Sequence, residues 1–422
     1  MRELRGKYHM NKILKDIPIK SILHLFLVRG SVYLFPFITL PIITRSLGVT
    51  HFGILSLFLA AQQYLVMLVE YGFTLTGARD IVRCDNKQSE IKIINEIIMC
   101  RLLMFLFCTV IIIGVYAFFI EYGYVTCYLI LWCTVFCSVF NQTHFFIGKE
   151  KTGFIVISTC ITRIISIFIV VLCVKDNKDI NIALLAYSIN TALPNVLSSF
   201  YLNLYLKYKI KIIPRNNEII DRFKSGFDIF ISNVCTNIYS TLTLMYLGTA
   251  KGATETGYYS SADKLKSAAQ GVLFPVAQAF FPRVSKEHGI NFYLLWRKST
   301  AILVCFAVAI VAGLFIFSNL IYILLLGEQY LSGINIYYIL TLTIIPISFG
   351  ISYAQNLYLT QGQTKLLRKI YFVVSVLHLF HMPLLVHFLG AIGAAISVLA
   401  TESFASLLMF IFRKKCFTWS QA

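Results

Sequence analysis

The sequence predicts an all-α integral membrane protein with about 12 transmembrane helices in two six-helix lobes related by a parallel pseudo-two-fold repeat. The 422-residue chain is 58% hydrophobic and only 13% charged, with a mean hydropathy of +0.76, whereas a soluble domain is about a quarter charged. Apolar runs of about 20 residues, the length that crosses a bilayer core, recur along it. Most of the 37 basic residues lie in short clusters between these runs. This layout excludes a nucleic-acid-binding domain, a secreted disulfide scaffold and a disordered chain.

Each apolar segment is long enough to close its backbone hydrogen bonds internally, as a membrane span must. In chain order the predicted spans are residues 22–44, 52–71, 97–120, 125–148, 154–174, 180–206, 227–248, 258–281, 300–320, 333–360, 371–388 and 391–412. The eighth is the weakest prediction, because Asp263, Lys264 and Lys266 lie inside it. The first apolar stretch is too long for a signal peptide and lacks a small-residue cleavage site, so we expect an uncleaved first helix.

The basic residues also predict the orientation, because they are retained on the cytoplasmic side when they flank short loops. They cluster before the first span and in every second loop, which places both termini in the cytoplasm. The opposite loops are short and hold few basic residues, namely Arg45, Lys175, Lys178 and Lys251. The predicted units are a basic N-terminus (1–21), an N-lobe (22–206), a basic cytoplasmic linker (207–226), a C-lobe (227–412) and a cytoplasmic C-terminus (413–422).

Weak self-similarity between the halves indicates a duplication. Since each half has an even number of spans, equivalent helices run in the same direction and the repeat axis lies along the membrane normal. The matched pairs are Gly48 with Gly248, Gly53 with Gly257, Ser56 with Ser260, Arg79 with Arg283, and Gly148 with Gly362. A cleft between two such lobes is the expected path of a substrate.

Two stretches carry a resemblance to a known family. They are FPFITLPIITRSLGVTHFG, at the first helix and turn, and EYGFTLTGARDIVR, after the second helix. At these two stretches the chain resembles the Wzx-type O-antigen flippases. These belong to the polysaccharide transporter family of the multidrug/oligosaccharidyl-lipid/polysaccharide exporter superfamily. The resemblance implies a non-enzymatic flippase of lipopolysaccharide biosynthesis in the inner membrane. It would move O-antigen repeat units on undecaprenyl diphosphate from the cytoplasmic to the periplasmic leaflet by alternating access.

The same resemblance implies certain partners. They are the undecaprenyl-diphosphate-linked oligosaccharide, the membrane lipids, an O-antigen polymerase and a chain-length regulator, with no nucleic acid and no cofactor.

Charged residues within predicted spans are functional candidates, because a charge at mid-bilayer costs about 2.5 to 3.5 kcal/mol on insertion scales. A diphosphate cargo needs a hydrated cationic path, to which arginine offers a planar fork and lysine a mobile point charge. The candidate substrate-binding cations are Arg29, Lys264, Lys266 and Arg163, although Arg163 also suits an anchoring role. Asp263 and Lys266 are three residues apart and are expected to pair, which leaves Lys264 as the free cation.

The acidic and polar candidates suit ion coupling and a sugar-compatible lining. Coupling to a proton or cation gradient is assigned to Glu70, Asp263 and Glu402. The cavity lining is assigned to Gln63, which shares a stripe of every seventh residue with Ser56 and Glu70, and to Asn233 and Asn237, which recur every four residues with Thr241. Such stripes also serve as interhelical hydrogen bonds. Arg101 and Asp228 lie near the ends of their helices and are expected to reach the interface by snorkelling.

No motif for catalysis or metal binding stands out. The eleven cysteines have no spacing typical of zinc. His378 and His381 are one turn apart but lack further ligands, so we assign them to packing. A phosphate-binding loop and a Ser-His-Asp set are absent from the sequence.

Three other kinds of protein fit the sequence less well than an O-antigen flippase. An O-antigen polymerase would carry a large catalytic outer loop, which the predicted spans do not leave room for. A multidrug exporter for cationic drugs would favour an acidic cavity, whereas this interior contains basic residues as well. A lipid II flippase is related but typically has fourteen spans.

Overall fold

The structure, a computed structural model, is built from helices, and its described residues form no β-strand. It describes residues 19–118, 124–204, 207, 216–237 and 241–417, without the side chains of residues 19–34, 118, 216, 217, 232, 235 and 236. A helix satisfies its backbone donors and acceptors within one segment, which is what lipid demands of a spanning chain. The fold is therefore the one expected from the composition.

Seven helices make up the first half of the described chain. They are α1 (Ile19–Glu70), α2 (Phe73–Val82), α3 (Lys87–Phe118), α4 (Val125–Ser138), α5 (Thr143–Gly148), α6 (Gly153–Cys173) and α7 (Ile180–Leu204). The non-helical residues 139–142 separate α4 from α5 within one predicted span.

Nine helices make up the second half of the described chain. They are α8 (Asn216–Asn237), α9 (Thr243–Lys251), α10 (Ala253–Gly271), α11 (Leu273–Val284), α12 (Gly289–Ile316), α13 (Ser318–Leu325), α14 (Ile334–Leu342), α15 (Ile344–Ile351) and α16 (Thr364–Phe412). A π-helix over Ser352–Leu359 follows α15.

Eight helical segments in the described part of the chain are long and apolar enough to cross a membrane. Two of them, residues 35–82 and 364–416, contain 48 and 53 residues, far more than the roughly 20 that one crossing needs. The segments 216–251 and 253–284 fall outside the eight. They carry charges such as Asp228, Asp263 and Lys264 within their helices.

Glycines break the two longest helices. Gly48 divides α1 with φ 70° and ψ 175°, and Gly390 divides α16 with φ 57°. Gly252, between α9 and α10, has nearly the same conformation as Gly48, with φ 85° and ψ −179°. Positive φ is accessible to glycine at little steric cost. Gly248 instead lies inside α9, so the predicted match of Gly48 with Gly248 was wrong by one helical turn.

The buried apolar residues form two clusters. The larger includes residues of α1 to α7 together with parts of α9, α10, α14 and α16. The smaller lies within the second half, between α11, α12, α15 and α16. The two halves of the chain thus share a core where α10 packs against α1, while much of the second half has a core of its own.

Candidate functional site

The two halves meet in a reciprocal helix contact between α1 and α10. Thr50 and Thr254 hydroxyls lie 3.0 Å apart, and the Ser260 hydroxyl donates to Ser56 at 2.7 Å. Each pair is separated by 204 residues. A residue contacting its own counterpart is the pattern of an interface on a two-fold axis.

Glycine makes this contact possible. A Cβ at Gly53 would lie 1.9 Å from the Ala253 carbonyl oxygen, and one at Gly257 would lie 2.1 Å from the Val49 carbonyl oxygen. Small residues let helix backbones approach closely in membranes. We refer to residues 49–56 and 253–260 as the helix-pair contact. It joins the two halves of the chain directly.

A second tie lies at the same end of the molecule. The Arg45 guanidinium donates to the carbonyls of Ile323 and Leu324, at 3.0 and 2.7 Å. The Gln329 amide donates to the Thr44 carbonyl at 3.0 Å. These bonds join the end of the first part of α1 to the last turn of α13 and to the segment after it.

The predicted cations of α10 lie where the halves face each other. Lys266 is 2.9 Å from Asp263, which confirms the predicted pair. The Lys264 ammonium lies 5.7 Å from the centre of the Tyr187 ring, on α7 of the other half. This is the distance of a cation–π interaction. The Lys264 side chain therefore contacts the other half of the chain.

Glu402 lies on α16, which packs against α10, within electrostatic range of Lys266. We refer to Asp263, Lys266 and Glu402 as the charged cluster. Arg163 is placed elsewhere, on α6, which packs against α1 and α7. The side chain of Arg29 lies outside the described residues. The structure thus brings together two of the four predicted cations.

Glu70 belongs to a separate network around the break between α4 and α5. Its carboxylate accepts a hydrogen bond from the Asn141 side chain. Arg101 donates to the Asn141 carbonyl and, at 3.5 Å, to the Thr74 hydroxyl. Arg101 is fully buried, so the prediction that it snorkels to the interface was wrong. The physical reason is that the helix break frees a carbonyl for it inside the protein.

The polar lining residues have different surroundings. Gln63 is exposed, whereas its neighbour Gln62, which sequence reasoning missed, is buried and bonds to Thr191 and Ser188, both at 2.9 Å. The Asn237 amide donates to the Asn233 carbonyl at 2.8 Å. Adjacent residues of a helix lie on different faces. The glutamine pair in the sequence was therefore the available signal for one packing face and one exposed face.

A groove of about 590 Å³ lies between α8 and the start of α16, and Asn233 lines it. Beside it, Arg368 pairs with Asp228 at 3.1 Å, and the two side chains are 47% and 81% exposed. The exposed position of Asp228 agrees with the predicted placement at the interface.

Ion pairs join α8 to the first half at the end opposite the helix-pair contact. Arg222 donates to Glu96 at 2.6 Å and also pairs with Asp80, while Lys92 pairs with Glu218 at 2.6 Å. Burial favours a lower pKa for Arg222, but its bonds to Glu96 and Asp80 outweigh burial and hold that pKa above its ordinary value. Sequence reasoning had counted Arg222 only as part of a basic linker.

His378 and His381 take part in a hydrogen-bond network rather than a metal site. The two ring nitrogens of His378 lie 2.8 Å from the Thr243 hydroxyl and 2.7 Å from the Thr401 hydroxyl. His381 lies 2.8 Å from the Leu377 carbonyl. Across the described residues, no three His, Cys, Asp or Glu side chains come together as a metal site.

The fold is similar to that of solved transporters of the MOP superfamily. A multidrug resistance MATE family transporter in its inward-facing conformation is 13% identical, with a TM-score of 0.67, covering 94% of this chain and 98% of that chain. The lipid II flippase MurJ in an inward closed conformation is 14% identical, with a TM-score of 0.69, covering 94% and 87%. At these identities the likeness concerns the fold alone.

The chain belongs to the polysaccharide biosynthesis protein family, whose model matches residues 19–288. A protein named "Putative O-antigen transporter" from Shigella dysenteriae is 32% identical, over 92% of this chain and 98% of that protein. A protein of the same name from Escherichia coli (strain K12) is 29% identical, over 93% and 96%. The family membership predicted from the sequence is confirmed.

Proposed function

We propose that this protein is a flippase that moves undecaprenyl-diphosphate-linked O-antigen repeat units from the cytoplasmic to the periplasmic leaflet of the inner membrane. The observation that carries the proposal is the end-to-end similarity to the two proteins named as O-antigen transporters. The matched regions cover 98% and 96% of their lengths. The chain acts as a transporter rather than as an enzyme such as a polymerase.

The proposed architecture has twelve spans in two lobes, residues 22–206 and 227–412, with both termini in the cytoplasm. Segments of 48 and 53 residues would measure roughly 70 to 80 Å as single helices, at about 1.5 Å per residue. Each therefore suits two crossings of a core about 30 Å thick, divided at Gly48 and Gly390. Adding residues 216–251 and 253–284 to the remaining spans gives twelve.

The parallel repeat is supported by the helix-pair contact. Its hydroxyl pairs relate α1 to α10 by a separation of 204 residues. The close glycine contacts and the helix breaks at Gly48 and Gly252 have the same separation. The two lobes would rock about this axis and open alternately to each side. In this proposal the helix-pair contact faces the periplasm and serves as the gate on that side.

The cargo path in this proposal runs between the lobes past Lys264 and Lys266, with Arg29 and Arg163 as further cations. Gln63, Asn233 and Asn237 would contact sugars. Asp263 and Glu402, beside Lys266, would bind the coupling ion, with Glu70 as a further candidate. A few separated cations suit a transporter better than one tight clamp, because the cargo must also be released.

The decisive experiment uses a deletion strain. Surface polysaccharide and lipid-linked oligosaccharide are measured, and the leaflet of the oligosaccharide is assayed by its access from the periplasm. Loss of O-chain with repeat units held on the cytoplasmic leaflet supports translocation. Lipid A core carrying a single repeat unit would show instead that units still cross and that the missing step is polymerisation. Working partnership with a polymerase and a chain-length regulator would be tested by co-purification.

A further inference from the structure

The groove between α8 and α16 has apolar walls that are too exposed for a core. Phe227 on α8 is 52% exposed, and Phe372 and Val373 on α16 are 54% and 46% exposed. Ile231 and Leu367 complete the walls. Its volume of about 590 Å³ is within the range of pockets that bury small ligands. These walls suit a hydrocarbon chain.

The groove also has a cationic rim. Arg368 and Lys369 line it, and Arg368 holds Asp228 at 3.1 Å with both side chains substantially exposed. Exposed ion pairs contribute little stability. An incoming phosphate can therefore replace the carboxylate, and the planar guanidinium fork matches phosphate geometry. The rim suits an anionic headgroup.

The inner part of the groove leads toward the charged cluster. Tyr371 and Asn233 line it, and Tyr371 lies within electrostatic reach of Glu402, which in turn lies within reach of Lys266. A headgroup bound at the rim would thus be next to the residues that the proposed path uses.

We propose that this groove is the loading site for the cargo lipid, binding its isoprenoid chain between α8 and α16 and its phosphates at Arg368 and Lys369. The inference rests on the proposed function for the nature of the lipid. The proposed lipid binding can be measured without transport, so a binding assay alone tests it.

The probe is a photoreactive isoprenyl diphosphate of three isoprene units, applied to the purified full-length protein in nanodiscs. We expect it to label peptides of α8 and the start of α16. Arg368→Ala should weaken binding about tenfold, the effect of losing one charge-assisted hydrogen bond. Asp228→Asn should strengthen binding, because it releases Arg368. Opposite signs at the two partners of one ion pair are not expected from a structural role.

Matched variants control for folding and for general charge. Val373→Trp should block labelling, whereas Leu384→Trp, on an exposed position further along α16, should not. Lys414→Ala removes an exposed basic residue just after the C-terminal end of α16 and should leave binding unchanged. Lys369→Ala provides a second rim variant if Arg368→Ala is not monodisperse.

Competition identifies the ligand. Unlabelled isoprenyl diphosphate should compete, and neither phosphatidylglycerol nor inorganic pyrophosphate should match it. Equal competition by phosphatidylglycerol would make the groove a general phospholipid site, and equal competition by pyrophosphate would remove any role for the apolar walls. Either result overturns the proposal, as does labelling elsewhere. Failure of the deletion strain to accumulate cytoplasmic repeat units would instead contradict the flippase function and leave the binding data standing.

Discussion

Gly53→Ala tests whether the helix-pair contact is the closed gate. The added Cβ would lie 1.9 Å from the Ala253 carbonyl oxygen, where ordinary contact begins near 3.4 Å. The backbones of α1 and α10 would have to separate by about 1.5 Å, because close-packed interiors absorb little strain. Overpacking of this kind costs about 1 to 3 kcal/mol. The substitution should therefore shift the population toward the state in which this end is open.

The measurement uses a cysteine at Ser260, which is 4% exposed in the closed contact. A membrane-impermeant maleimide added from outside should label it only when the helices part. Gly53→Ala should raise the labelling rate by about 5- to 150-fold, the factor that corresponds to 1 to 3 kcal/mol. Gly257→Ala, at the reciprocal position, should act similarly.

Gly313→Ala is the matched control, because a Cβ at this helical glycine meets nothing within 4 Å. It should leave labelling of the Ser260 cysteine unchanged. If Gly53→Ala and Gly313→Ala give the same rate in well-folded protein, the contact does not open at this end and the gating argument is refuted.

Three further predictions concern the buried charges and one thiol. Glu70→Ala should lower stability by about 1 to 3 kcal/mol, because the Asn141 side-chain amide loses the carboxylate that accepts its hydrogen bond. Thermal unfolding in detergent should show the loss, with a smaller loss in Glu70→Gln, which keeps an acceptor; an unchanged midpoint in Glu70→Ala would disprove the hydrogen bond. In the complemented deletion strain, Lys264→Gln should reduce surface O-chain, whereas Lys264→Arg should retain part of it and the control Lys414→Gln should transport normally. Wild-type levels of O-chain in Lys264→Gln would show that Lys264 is not part of the cargo path. Burial, and after it the nearby Glu90, raises the pKa of Cys84, so less of its reactive thiolate is present at pH 8 than in an ordinary cysteine. Peptide mass spectrometry should show an alkylation rate that keeps rising above pH 9 and is faster in Glu90→Gln. A rate that reaches its plateau below pH 9 would contradict this.

Local patterns could be predicted from the sequence. Asp263 and Lys266 pair because a spacing of three residues on a helix places two side chains on one face. The helical class followed from composition, because lipid permits few alternatives for a chain this apolar. These features depend on the segment itself and not on where its neighbours lie.

Tertiary partners could not be predicted in this way. The position of Arg101 along its helix would suit snorkelling, but its partner is the Asn141 carbonyl. This carbonyl is freed by the helix break after α4, and nothing in the sequence around Arg101 indicates that break. Arg222 pairs with Asp80 and Glu96, more than 100 residues away. The glycine spacing pointed to equivalent positions, yet the fact that they touch each other is visible only in the fold.

The helix-pair contact contains no charged side chain among the residues that form its hydrogen bonds and close approaches. The opposite end is held by ion pairs, whose strength depends on ionic strength. In the proposed orientation this contact faces the periplasm, where salt and acidity follow the surroundings of the cell. A gate of hydroxyls and glycines would seal there equally well in dilute and in saline media, while the end held by ion pairs faces an interior whose ionic composition the cell regulates.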